Sequence, residues 1–196
     1  MSKSQNLTKR LVISAVFIAV SVVLNELTPI KFPFGGSVTV FSMVPLALLG
    51  WTYGISWGLV CGAVMGTLDM LIGGLQNFSW VSGILAYLIL IFADYFVAFG
   101  VMGLSGMFKY VIKNQTVALA LGAFVGSLLR FICHFVSGVT IWGDYACGWK
   151  SVWAYSAGYN GGYMAVEAAI SVVAVIALSL VLDFSKENLK KTKKSK

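Results

Sequence analysis

The sequence predicts an all-α integral membrane protein with six transmembrane helices and both termini cytoplasmic. Three observations predict it. Of 196 residues, 59% are hydrophobic and 11% are charged, whereas a soluble domain carries about 25% charged residues. Several apolar runs exceed the roughly 18 residues that cross a bilayer, and charges or Gly/Pro breaks separate them. The cations gather on alternate loops, as topology signals do. A β-barrel would show short alternating strands instead.

The first span covers about 11–26 and lacks the small-residue cleavage site of a signal peptide. The second, about 41–53, is short, and its turn into the third, 54–74, is tight at Tyr53 and Gly54. The two read as a helical hairpin, with a broken or partly inserted second element as the alternative. The fourth span, about 80–108, is long enough to tilt. The fifth covers about 116–140 and the sixth about 156–182. The first loop, LTPIKFPFGGSVT, holds Pro29, Pro33, Gly35 and Gly36 and is either a lid over a site or a plain connector.

Lys3, Lys9, Arg10, Lys109, Lys113 and the tail lysines fall on one side of this arrangement, and only Lys31 and Lys150 on the other. Cytoplasmic loops carry the excess of Lys and Arg, so loops 27–40, 75–79 and 141–155 face outward. The lysine-rich tail from about 185 is expected on the anionic cytoplasmic leaflet. The net charge of +7 therefore reports topology, and nucleic-acid binding is excluded for want of a folded soluble surface. Residues 1–196 read as a single transmembrane substrate-binding domain in the lipid bilayer. Cys61 and Cys133 read as small packing residues and Cys147 as an outer-loop thiol, so neither a disulfide framework nor a metal cluster is expected.

Ionisable groups inside a membrane are costly and mark sites by default. Five lie within the spans: Asp69, Asp94, Arg130, His134 and Glu167. Arg130 and the only histidine, His134, are spaced i,i+4 and share a face. Asn160 and Glu167 are spaced i,i+7 and also share one. Spans five and six run in opposite directions, so two layers are expected. His134, Asn160 and Tyr155 would face an outward-open cavity, and an Arg130–Glu167 ion pair would close its floor, as structure or as ligand contact. Asp94 needs a partner, either Arg130 or a cationic ligand, and Tyr87 lies i,i+7 from it on the same stripe. Asp69 reads as a solvated helix-end acid. An interfacial aromatic belt accounts for Trp51, Trp57, Trp80, Trp149 and Trp153, and for Trp142 less well. A carboxylate, an imidazole, an amide and several aromatic rings suit a small, flat, cationic heterocycle.

At RFICHFVSGVTIWG and WAYSAGYNGGYM, supported by GGSVTVFSMVPLALLG and FADYFVAFGVMGLSG, the chain resembles the thiamine-specific substrate-binding subunits (S components, the ThiT family) of energy-coupling factor (ECF) transporters. The resemblance runs from the first span through the sixth. It implies an S-component bundle that binds thiamine, with His134, Tyr155 and Asn160 hydrogen-bonded to the vitamin and Trp142 stacked on its rings. It places Asp94, followed by Tyr95, where the family's acidic residue, a glutamate, holds the aminopyrimidine. It also implies an aromatic lid residue on the first loop, for which Phe32 and Phe34 are the candidates. Ala15 and Ala19 form a small-xxx-small pair on the first span, which permits close intrachain packing. The resemblance implies instead that they dock a transmembrane coupling subunit, itself driven by two ATPase subunits, in the plasma membrane of a Gram-positive bacterium.

No GxxxxGK[ST] loop occurs, so ATP hydrolysis would belong to other chains. HExxH and GxSxG are also absent. The chain is expected to be a binding subunit, not an enzyme, without a cofactor of its own. Two rivals remain. One is an S component for a related vitamin or thiamine precursor, which the shorter Asp94 keeps open. The other is a stand-alone secondary transporter, which inverted repeats with paired broken helices would support.

Overall fold

The computed structural model describes residues 3–183 and 190–191, with six helices in this part of the chain. They are α1 (Lys3–Glu26), α2 (Val44–Tyr53), α3 (Ile55–Ser79), α4 (Ile84–Gly106), α5 (Gln115–Thr140) and α6 (Val152–Ser179). All but α2 are long and apolar enough to span a membrane. At 10 residues, α2 covers only about 15 Å, half a hydrocarbon core.

That short helix is the centre of the bundle. Val44 to Trp51 are all buried, enclosed by α1, α3, α4 and α5. Trp51, expected in an interfacial belt, is 1% exposed and belongs to this core. Glycines let the backbones touch. A Cβ on Gly50 would lie 2.2 Å from the Gly103 carbonyl oxygen, and one on Gly58 would lie 2.6 Å from the Gly50 Cα. Gly54, at φ +90°, makes the one-residue turn from α2 into α3, a conformation that a side chain resists.

Capping sets the helix starts. Asn114 accepts from the Val117 amide (3.1 Å) at the head of α5, and Ser151 accepts from the Ala154 amide (3.1 Å) at the head of α6. The Ser151 cap starts α6 four residues before the expected position. Segment 75–79, expected as a loop, is a 3₁₀ extension of α3. The first loop is a small hairpin. Strand β1 (Ile30–Lys31) pairs antiparallel with β2 (Ser37–Val38), with a 3₁₀ turn at Pro33–Gly35 between them. A second pair joins β3 (Leu182–Asp183) to β4 (Lys190–Lys191). The rest of the tail from about 185 lies outside the described residues.

Ala15 and Ala19 lie on the exposed side of α1. Intrachain packing is not what they serve in this bundle.

Candidate ligand-binding site

Two helices contain π-turns where they meet: Met70–Gly74 in α3 and Leu90–Val97 in α4. Such turns often occur at functional sites. The wider turn in α4 divides consecutive residues between two surroundings. Asp94 points at α5 and the following loop. The Tyr95 hydroxyl instead accepts from Asn77 Nδ2 (2.8 Å) and donates to the Gly74 carbonyl (3.4 Å) on α3. The expected Tyr87–Asp94 stripe does not form, because the π-turn breaks the 3.6-residue register between them. The Tyr87 ring packs on Phe78 instead, at 5.6 Å between centroids.

The Asp94 carboxylate accepts three hydrogen bonds. His134 Nδ1 lies 2.9 Å from Oδ1, while Ser137 Oγ (2.6 Å) and Trp142 Nε1 (3.1 Å) both donate to Oδ2. His134 and Ser137 lie on the α5 face that also carries Arg130, at i,i+4 and i,i+7. Asp94 therefore takes His134 as its partner, not Arg130. Across from α5, a buried stripe of α6 runs through Ser156, Asn160, Tyr163 and Glu167. Asn160 Nδ2 donates to the His134 carbonyl (3.1 Å) and to Ser156 Oγ (3.1 Å), and its Oδ1 accepts from the Tyr163 hydroxyl (2.8 Å). Gly138 permits this approach, since a Cβ there would sit 2.2 Å from Ser156 Oγ.

These groups surround two neighbouring chambers. The smaller, about 50 Å³, is lined by Asp94, Trp142, Tyr155, Tyr159, Asn160 and Tyr163. The larger, about 330 Å³, is lined among others by Asp69, Tyr95, Arg130 and His134. Gly35, Gly36, Asn77 and Tyr163 line both.

The hairpin is their roof. The Tyr159 hydroxyl donates to the Pro33 carbonyl and accepts from the Gly36 amide (2.9 Å). Gly36 lets the hairpin lie this close, because a Cβ there would meet the Tyr159 oxygen at 2.6 Å. The Phe32 ring lies 6.3 Å from that of Tyr159 and 6.1 Å from that of Tyr163. Of the two lid candidates, Phe32 packs on α6, and the Phe34 side chain lies outside the described residues. Tyr155 stacks on Tyr159 at 5.5 Å, and Trp142 packs on Tyr145 at 5.8 Å.

Below, Arg130 and Glu167 meet at 3.5 Å, and both are buried. The second carboxylate oxygen of Glu167 accepts from the Thr39 amide and from the Thr39 hydroxyl (2.7 Å), which anchors the chain just after β2. Arg130 also lies over the Phe99 ring at 4.6 Å.

Asp69, expected as a solvated acid, lines the larger chamber and accepts from Asn25 Nδ2 (2.5 Å), tying α3 to the end of α1. Tyr159, Tyr163, Ser137 and Asn77 are site residues that the sequence reading did not name. The i+3/i+4 stripe continuing from Tyr155 points to the first two, whereas nothing in the sequence signals Asn77. Among the described residues no His/Cys/Asp/Glu group could hold a metal, and the three cysteines are free.

The family described as "Thiamine transporter protein" matches residues 11–186. The thiamine transporter ThiT of Bacillus subtilis (strain 168) is 31% identical over 189 residues, covering 91% of this chain and 93% of its own. The thiamine transporter ThiT of Lacticaseibacillus paracasei is 27% identical over 150 residues, 72% of each chain. Among solved structures, ThiT from Listeria monocytogenes superposes with a TM-score of 0.72 at 22% identity, covering 88% of this chain and 94% of that one.

Proposed function

The chain belongs to the thiamine transporter protein family, with the S-component fold, as a multi-pass protein of the plasma membrane, and on that premise we propose that it captures thiamine beneath the 30–38 hairpin. The observation that carries this reading is the setting of Asp94. A carboxylate held by His134, Ser137 and Trp142 stands beside a chamber walled by Trp142, Tyr155, Tyr159 and Tyr163. A fixed negative charge and electron-rich ring faces attract a flat organic cation. Thiamine is such a cation, with its thiazolium and aminopyrimidine rings.

In this reading Trp142 and Tyr155 contact the rings, His134 supplies the polar contact, Asn160 orders the wall, and Phe32 with Tyr159 closes the roof. Tyr95 shapes the larger chamber, and Arg130 with Glu167 braces the floor. The whole chain acts as one transmembrane unit and needs no cofactor. It works as the S component of an ECF importer, facing the coupling subunit with the exposed Ala15 and Ala19 of α1 and relying on two separate ATPase subunits for energy.

Titrating the purified chain with thiamine while following tryptophan emission tests the proposal. Saturable quenching that Trp142→Ala and His134→Ala abolish is the expected result. Folded protein that does not respond to thiamine would overturn the cargo, and aminopyrimidine precursors would then be titrated in its place.

A further inference from the structure

The outer surface of α5 and α6 holds a hollow of about 250 Å³ that shares no lining residue with either chamber. Phe124, Leu128 and Phe131 wall it on α5, and Gly161, Met164, Ala165 and Ala168 wall it on α6. Gly161, Ala165 and Ala168 recur at i, i+4 and i+7, so this face of α6 is too short in side chains to fill the space. Residues 124–131 lie midway along α5, and 161–168 midway along α6. In a multi-pass protein the hollow therefore sits near the bilayer centre. Phe124, Leu128 and Ala165 are exposed, so it is continuous with the surface that both helices present to lipid.

Its chemistry restricts what can enter. Ser127 is the one polar side chain that lines it, and its hydroxyl already donates to the Ala123 carbonyl (2.9 Å). No side chain remains to hold water or a headgroup, and the hydrocarbon core supplies no water at that depth. Left empty, the walls forfeit dispersion contacts, and apolar hollows take apolar guests. Shape decides between guests. The stretch from 124 to 131 spans about 10 Å, and a partner helix of that length, about 10 Å across, displaces roughly 800 Å³. A hydrocarbon chain is far slenderer. We propose that the hollow seats the terminal part of one phospholipid acyl chain, held there while the surrounding lipid exchanges. Phe131 and Met164 also pack in a cluster with Val38 of β2 and Tyr163. The seated chain therefore braces, from the lipid side, the cluster on which the hairpin rests.

Photolabelling of the purified full-length chain in phosphatidylglycerol vesicles tests this, with a small, rising fraction of the lipid carrying a diazirine at one chain end. Labelling within 124–131 and 161–168 should saturate as that fraction rises, whereas labelling elsewhere on the lipid-facing surface rises in proportion. Ala165→Leu and Ala168→Leu fill the hollow with protein and should each abolish the saturable part. Gly162→Leu should leave it intact, because a Cβ at Gly162 meets nothing within 4 Å and the residue lies off the hollow. Proportional labelling at the two segments, or saturation that survives both leucines, overturns the proposal. So does labelling seen in the purified chain but absent in native membranes, since a partner protein then covers the hollow.

Thermal unfolding reads the brace. Phosphatidylglycerol added to the detergent-purified protein should raise the Tm of wild type by about 3 °C more than that of Ala165→Leu. Equal gains would assign the stabilisation to general lipid contact and overturn the brace. Both readouts depend on the membrane location of the chain and not on its cargo, so they stand or fall apart from the thiamine reading.

Discussion

Asp94 and Arg130 are both charged side chains enclosed by membrane helices, and the protein holds them in opposite ways. Asp94 accepts three hydrogen bonds of 2.6 to 3.1 Å from groups on α5 and the loop after it. Arg130 has one carboxylate contact at 3.5 Å and an aromatic face, and its Nε has no partner. A buried charge is tolerated in proportion to the hydrogen bonds that replace its water. By that measure the Asp94 side is preorganised and the Arg130 side is slack. The slack side borders the larger chamber, and the tight side borders the smaller one. Hydrogen bonding is therefore dense on the side that borders the aromatic chamber and sparse on the side that borders the larger one.

The comparison breaks most severely at Glu167. Replacing it with Ala strands the Arg130 guanidinium and releases Thr39, and should cost about 3 kcal/mol of stability, read as lowered thermal unfolding in detergent. A neutral outcome would mean that the larger chamber already hydrates Arg130. On the tight side, Trp142→Ala removes both a ring wall and a donor to Asp94. Thiamine affinity should fall about 100-fold in a fluorescence or calorimetric titration.

Tyr159→Phe leaves the ring stack and removes both hydrogen bonds to the hairpin. Thiamine should dissociate about 10-fold faster in stopped flow with little change in stability, and an unchanged rate would detach the roof from retention. The smallest effect is expected at Tyr87, whose ring packs on Phe78 outside both chambers. Tyr87→Leu should leave affinity within about 2-fold, since the ring lines neither chamber and an apolar side chain keeps its packing on Phe78. A large loss there would restore the helical stripe that the π-turn breaks.

Much of this arrangement was legible along the chain. The pairing of Arg130 with Glu167 followed from opposite span directions and helical spacing, and the clustering of His134, Asn160 and Tyr155 followed from the same geometry. The partner of Asp94 stayed open between Arg130 and a ligand, and the structure gives it His134, Ser137 and Trp142 in place of Arg130. Trp51 and Asp69 were misplaced for related reasons. Trp51 lies on a helix that its neighbours enclose from Val44 onward, and Asp69 directly precedes a π-turn whose glycines line the larger chamber.

By itself the sequence determined the class of protein, the number and order of its helices, and the residue types available to a site. Apolar length and 3.6-residue periodicity are local properties, and the membrane enforces them directly. Only the tertiary structure decided which charge meets which, that α2 lies within the bundle, that the first loop folds as a hairpin onto Tyr159, and that Asp94 and Tyr95 face different chambers. Those outcomes depend on interhelical distances set by glycine contacts and on two departures from α-helical register. Periodicity describes a helix face, but it contains no term for how close the next helix comes.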